Sequence, residues 1–305
     1  MTMRVFVTGA TGLIGRALAA SLTADGHEVV ALSRGDAPAG MPDGTRIVKG
    51  DPAVAGPWQE ELSRCDACVN LAGEPVAGGR WTDERRKRIR DSRVLATRNV
   101  AAVLAAGGPA VLVNGSAIGF YGPRGDEVVD ETFPAGNDFL GHVAQEWEEA
   151  TRVALKRARV VLVRTGIVLA AEGGALPKLV LPFKMLAGGP IGDGGFWQSW
   201  IHVADQVGIL RLALENPLAQ GPVNATAPDP VRNRDLARSL GRVLRRPSLL
   251  VAPAFAVRAV LGEMAEVVLA SQRVVPRAAL ALGYRFRWPS LEPALRDLLL
   301  EESRR

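Results

Sequence analysis

The chain has 305 residues, 48% hydrophobic and 23% charged, which excludes a disordered chain and supports one large core or two modest ones. No apolar stretch approaches the roughly eighteen residues of a membrane span, because the longest are cut by Arg164 and by Pro253 with Arg258. Strand-like sequence begins at Arg4, leaving no room for a signal peptide, so a cytoplasmic protein without a membrane partner is expected. The net charge of +5 raises the question of nucleic acid, which the basic run described below answers.

In chain order, short β-branched runs alternate with amphipathic helical stretches, the pattern of βαβ units and a parallel sheet. Val5 to Thr8 reads as the first strand, and Leu13 to Asp25 as a helix stopped at Gly26. Glu28 to Ser33 and Arg46 to Lys49 read as the second and third strands. Cys65 and Cys68 have a C-x-x-C spacing without a second ligand pair, and Cys68 opens the apolar strand Ala67 to Leu71. They read as reduced structural thiols, and no metal is expected. A long helix from about Thr82 to Ala106 follows. It carries the densest basic run, Arg80 to Arg93, but Asp83, Glu84 and Asp91 interleave with it and Ile89 and Val94 mark an apolar stripe. That is a solvated helix face, not a nucleic-acid surface.

Val111 to Ser116 reads as strand five, Phe139 to Lys156 as a helix, and Val160 to Arg164 as strand six. The expected fold is therefore α/β, a Rossmann doubly wound parallel sheet with a smaller C-terminal substrate-side domain. Residues 1–232 form the dinucleotide-binding domain, with a loop-rich, glycine-rich stretch over 170–200 on the substrate side. Residues 233–305, broken at Pro247, Pro253 and Pro276, form the C-terminal module.

The strongest motif is Thr8-Gly9-Ala10-Thr11-Gly12-Leu13-Ile14-Gly15, set between the first strand and the first helix. Gly9 permits the tight turn, Gly12 lets backbone approach a pyrophosphate, and Gly15 lets the helix pack on the sheet. The helix start, with Leu13 and Ile14, offers free N–H groups to the phosphates. At the tip of strand two, about nineteen residues on, stand Ser33 and Arg34, not the carboxylate of an NAD site. A guanidinium pairs with a 2′-phosphate, so NADP(H) is the expected cofactor. Asp36 lies beyond the strand tip. The small residues of Leu71-Ala72-Gly73 let backbone approach the adenosine half.

The chain resembles the extended short-chain dehydrogenase/reductases, and within them an atypical group of epimerase-family proteins also called SulA-like cell-division inhibitors. Asn70-Leu71-Ala72-Gly73-Glu74-Pro75, Arg80-Trp81, Ser92-Arg93, Trp147-Glu148 and Arg164-Thr165-Gly166-Ile167-Val168-Leu169 carry the likeness. So do Gly188-Gly189-Pro190-Ile191-Gly192, Ser199-Trp200-Ile201-His202 and Ser271-Gln272-Arg273-Val274-Val275-Pro276. The resemblance implies NADP(H) held by Ser33, Arg34, Leu71, Ala72, Arg93 and the segment around Val168.

Catalysis in this superfamily commonly uses a Tyr with a Lys four residues on, which lowers the phenol pKa. Here Phe139 or Leu140 takes the Tyr position and Val143 or Ala144 the Lys position, so the dyad is absent. The remaining candidates are Ser116 at the end of strand five and Tyr121, expected at the mouth of the nicotinamide site. Lys184, Trp197, Trp200 and Arg273 are further candidate pocket residues, and His202 reads as structural, with Asp205 capping the next helix. The expected function is an NADP(H)-dependent oxidoreductase of a small-molecule substrate with non-standard proton chemistry. A cofactor sensor acting through a protein partner or homo-oligomer is the alternative, and a nucleotide-sugar epimerase the third reading.

Overall fold

The computed structural model describes residues 2–36 and 40–301; Met1, residues 37–39 and the end of the C-terminal module, 302–305, lie outside them. Seven strands form the central sheet: β1 (Arg4–Thr8), β2 (Glu28–Ser33), β3 (Arg46–Lys49), β4 (Ala67–Asn70), β5 (Val111–Ala117), β6 (Arg159–Thr165) and, after short strands that belong to smaller sheets, β9 (Gly221–Ala225). Their order is β9-β6-β5-β4-β1-β2-β3, and every pairing is parallel. The chain reverses direction across the sheet between β1 and β4, the switch point at which such sheets open a crevice. Sequence reading found six of these strands. It missed β9, whose Pro222 argues against a strand interior but is tolerated at a sheet edge.

Alternation along β1 explains the layering. Val5 and Val7 face helices α1 (Leu13–Ala24) and α6 (Val203–Glu215), meeting Leu18, Leu22, Leu210 and Leu214. Phe6 faces the other way, onto α2 (Trp58–Ser63) and α3 (Asp83–Ala105), meeting Trp58, Leu62 and Leu104. Cys65 and Cys68 belong to this second layer as free, buried thiols, and burial pushes Cys65 up to about 11. Thr82 caps α3 by accepting from Arg85 N. Helix α4 (Phe139–Glu149) ends sooner than its sequence suggests, because the Thr151 hydroxyl turns back to Glu148 O at 2.7 Å and a 3₁₀ turn follows.

Past β6 the chain makes β7 (Ile167–Ala170), α5 (Leu176–Lys184) and β8 (Trp200–His202), with β8 parallel to β7. Helices α7 (Asn233–Leu244), α8 (Ala254–Leu261), α9 (Ala265–Leu269), α10 (Arg277–Ala281) and α11 (Leu291–Arg296) complete the chain. Leu236 and Leu240 of α7 pack with Val180 and Phe183 of α5 and with Leu291 and Leu295 of α11. Ala279 and Tyr284 instead join the core of the central sheet. Among the described residues no helix is long and apolar enough to cross a membrane.

Two side chains at the start of α6 fasten the C-terminal region. His202, not Asp205, caps the helix: its Nδ1 accepts from Ala204 N at 3.0 Å, and its Nε2 meets Asp297 Oδ2 at 3.0 Å. Asp205, only 1% exposed, accepts from the Tyr284 hydroxyl at 2.9 Å and from Arg287 N and Trp288 N, each at 2.8 Å. This corrects the expected roles, and the reason is distance in sequence. Asp205's partners lie about eighty residues downstream, where local capping rules do not reach.

Asp205→Ala strands three donors and is expected to lower stability by about 3 kcal/mol, against about 1 for Tyr284→Phe, both read from urea unfolding. Burial lowers the pKa of His202, opposed by Asp297, so the folded chain holds it neutral while the unfolded chain takes a proton near the ordinary value. Its contribution is thus complete above about pH 6.5 and shrinks as pH falls below that. Urea midpoints should drop between roughly pH 7 and pH 5, with a smaller drop in His202→Asn; equal drops in both proteins would refute the assignment.

Candidate functional site

The glycine turn after β1 is built by close approach. Gly9 has a φ of +66°, and a Cβ there would sit 2.7 Å from the Leu71 carbonyl. A Cβ on Gly15 would sit 2.2 Å from Gly9 O, so α1 begins directly against the turn. Gly12 is the N-cap and no side chain caps the helix, which leaves the first-turn N–H groups for a ligand. Thr8 ties this turn to the end of β4. Its hydroxyl donates to Asn70 Oδ1 at 2.6 Å and accepts from Leu71 N and Ala72 N. Asn70 in turn donates to Thr97 Oγ1 and Asn114 Oδ1, and Trp147 Nε1 donates to Thr97 Oγ1.

Two hollows meet at this turn. One, of about 530 Å³, is lined by Gly9, Thr11, Gly12, Ser33, Arg34, Leu71, Ala72 and Gly73. The other, of about 390 Å³, shares Gly9, Gly12 and Leu71 and adds Leu13, Ile14, Ser116 and Val168. Through these shared residues they form one groove across the carboxyl ends of β1, β4 and β5. Arg34 is exposed and forms no ion pair among the described residues. Asp36 is held by Lys49 at 2.6 Å, so the tip of β2 presents an uncompensated cation. Lys87 and Arg88 line the same hollow.

Arg93 packs against Gly73 at the wall of this groove. Its guanidinium lies 5.2 Å from the Trp147 ring and donates through Nη1 to Glu74 O and Ile89 O. It lines a third cavity of about 220 Å³ that adjoins the groove, and burial pushes it down to about 10. That cavity adjoins the Ser116 end of the groove, sharing Trp147, Thr165 and Ile167 with it. Phe139, Leu140, Val143 and Ala144, in the positions of the missing dyad, form one wall. Trp197 lines it too, but Trp200 is fully buried and Lys184 and Arg273 lie outside it.

Tyr121 is not at the mouth of the site. It is fully buried, its hydroxyl donates to Asn224 Oδ1 at 2.7 Å and accepts from Arg164 Nη1 at 3.0 Å, and burial pushes its phenol up to about 12. A 3₁₀ turn over Ile118–Tyr121 swings the ring away from the groove, which spacing from Ser116 could not reveal. Ser116 does line the groove, yet its hydroxyl donates to Glu148 Oε1 at 2.7 Å. Arg164 clamps the same carboxylate with two bonds of 2.8 Å. Burial alone would lower the Arg164 pKa, but the Glu148 hydrogen bonds outweigh it and the net shift is upward. Glu148 and Arg164, which hold Ser116 at the groove wall, are residues that sequence reasoning assigned no role. The available signal was a charged residue at each of two otherwise buried positions.

Residues 5–225 match the NAD dependent epimerase/dehydratase family, and residues 252–298 match a domain of unknown function (DUF1731). The chain belongs to the NAD dependent epimerase/dehydratase family, as an atypical extended short-chain dehydrogenase/reductase. Within it, the chain is 42% identical over 305 residues to "Epimerase family protein SDR39U1 homolog, chloroplastic" of Arabidopsis thaliana, spanning 97% of this chain and 87% of that one. The crystal structure of human epimerase family protein SDR39U1 with NADPH superposes with a TM-score of 0.87 at 36% identity, over 97% of this chain and 99% of that one. A nucleoside-diphosphate sugar epimerase from Corynebacterium glutamicum gives 0.80 at 36% identity, over 98% of this chain and 58% of that chain.

Tyr121→Phe removes a buried hydroxyl with two partners and is expected to cost about 1–3 kcal/mol of stability while leaving dinucleotide affinity unchanged. Urea unfolding and a cofactor titration on the same variant check both halves. A loss of affinity without a loss of stability would return Tyr121 to the site.

Proposed function

We propose that the chain is an NADP(H)-dependent oxidoreductase of a small carbonyl or hydroxyl compound, with proton chemistry that bypasses a Tyr–Lys dyad. The observation that carries this reading is the free Arg34 guanidinium at the tip of β2, in the same groove as the uncapped start of α1. Gly9, Thr11, Gly12, Leu13 and Ile14 would hold the pyrophosphate, Ser33 and Arg34 the 2′-phosphate, and Leu71, Ala72 and Gly73 the adenosine side. Val168 and Ser116 flank the nicotinamide end. The cofactor supplies a hydride to a carbonyl carbon. Ser116, whose own proton is committed to Glu148, can only accept at this wall, so it would orient a hydroxyl or amide donor and not a carbonyl oxygen. With no dyad side chain on this wall, the proton that completes the reduction would have to be drawn from solvent at the open groove.

A second reading, a non-catalytic cofactor sensor, is favoured by one specific observation. The helix face that would carry the acid is apolar from Phe139 to Ala144. The epimerase reading is weaker, since removing a proton from a sugar carbon or hydroxyl needs a base that this face lacks.

Thermal unfolding with NADPH, NADH or neither should show stabilisation by NADPH above that by NADH, because a ligand of the folded state raises its melting temperature with its affinity. Arg34→Ala should weaken NADPH by roughly 10- to 100-fold, the worth of one charge-assisted contact, and change NADH little. Equal loss for both cofactors would sink the 2′-phosphate assignment. Oxidation of bound NADPH by a carbonyl compound supports the reductase. Cofactor-dependent partner binding without turnover supports the sensor.

A further inference from the structure

The 220 Å³ cavity beside the nicotinamide end is smaller than the about 300 Å³ at which ligand pockets usually begin. Its walls are Trp81, Ile118, Phe139, Leu140, Trp147 and Trp197, together with Val268 from the C-terminal region. The indole N–H groups are spent on protein: Trp81 on Val76 O, Trp147 on Thr97 Oγ1, and Trp197 on Asp126 Oδ1. The Ser199 hydroxyl donates to Gln272 O and accepts from Val274 N. Gln272 gives both amide hydrogen bonds to Ile118 O and Gly122 O, Gln198 accepts from Asn233, and Asp138 caps α4.

What is left for a ligand is the outer arm of two amides, the exposed Glu266 carboxylate and one cation. That cation is Arg93, whose Nη1 is engaged while Nη2 and Nε have no hydrogen-bond partner among the described residues. A diphosphate needs several charge-assisted donors. Here it would meet a single guanidinium and two carboxylates, Asp138 and Glu266. Arg232 is tied to Asp126 over Trp197, Arg273 lies over the same ring, and neither lines the cavity.

We propose that this cavity binds an uncharged, largely apolar carbonyl compound with its oxygen at Arg93, and rejects nucleotide sugars. The assignment rests on the oxidoreductase reading for the cofactor's reactive end, but the binding itself does not require turnover. Apolar walls bury the body of the ligand. Arg93, standing over Trp147 at the junction with the groove, aligns the oxygen beside the nicotinamide end.

Isothermal titration calorimetry of the full chain, with and without NADP⁺, against 2-acetonaphthone, 2-methylnaphthalene and UDP-glucose tests it. With NADP⁺ a ketone cannot turn over. The ketone should bind with a negative heat-capacity change, the mark of buried apolar surface, and UDP-glucose should bind at least about tenfold more weakly. Leu140→Asp places a carboxylate on the wall within the first turn of α4, where the helix dipole tolerates it, and should weaken the ketone at least about tenfold. Leu140→Met should bind as wild type does. Arg93→Gln should erase the preference for the ketone over the hydrocarbon. Tighter binding of UDP-glucose, no ketone binding, or ketone affinity indifferent to Leu140→Asp would each overturn the proposal. Ketone binding without NADPH oxidation would leave the cavity assignment standing and remove the hydride-transfer reading.

Discussion

A single threonine hydroxyl holds the two halves of the groove together. Thr8 donates to Asn70 and accepts from Leu71 N and Ala72 N, which fixes the end of β4 against the glycine turn. Gly9 then lies so close to Leu71 that no side chain fits between them, and Gly15 lies equally hard against Gly9. Because Asn70 extends the chain of bonds to Asn114, Thr97 and Trp147, the ends of three neighbouring strands and two helices are set by one buried network. Such a network is rigid when every member is paired, and here it shapes the floor of both the groove and the apolar cavity.

A second buried polar group lies behind the groove wall at Ser116. Arg164 and Glu148 form a bidentate pair with side chains 5% and 10% exposed. Removing either would leave a buried charge, a loss of about 3–5 kcal/mol. The pair also recruits Ser116 on one side and Tyr121 on the other, and the Arg164 guanidinium lies 3.5 Å from the Phe120 ring centroid. One carboxylate and one guanidinium thus anchor a groove-wall hydroxyl, Ser116, and a fully buried one, Tyr121.

Legibility in the sequence followed the range of each interaction. The glycine turn, Arg34 and the residues of Leu71-Ala72-Gly73 are local signals, and the structure gathers them into one groove. Strand alternation was readable where both neighbours cover a strand, as at Val5, Phe6 and Val7, but not at the edge, where Pro222 disguised β9. What escaped were the pairings between distant residues. Tyr121 meets Asn224 across 103 positions, Ser116 meets Glu148 across 32, and Asp205 finds Tyr284 across 79. Arg93 was placed on the right helix, but helical phase alone could not say whether it faced the groove or the cavity behind Gly73.

The C-terminal region is more than an appendage to the cofactor-binding fold. Gln272 donates to the two carbonyls that frame the 3₁₀ turn after β5, and Ser199 and Val274 are linked side by side. Glu263 and the Ala259 carbonyl reach back to Arg86 and Arg80 at the start of α3. Val268, Ala270 and Gln272 complete the wall of the apolar cavity, so a chain ending after β9 would leave that cavity open to water. In water an apolar ligand gains little from a one-sided wall. The proposed ligand site therefore rests on C-terminal residues as directly as the proposed 2′-phosphate contact rests on Arg34.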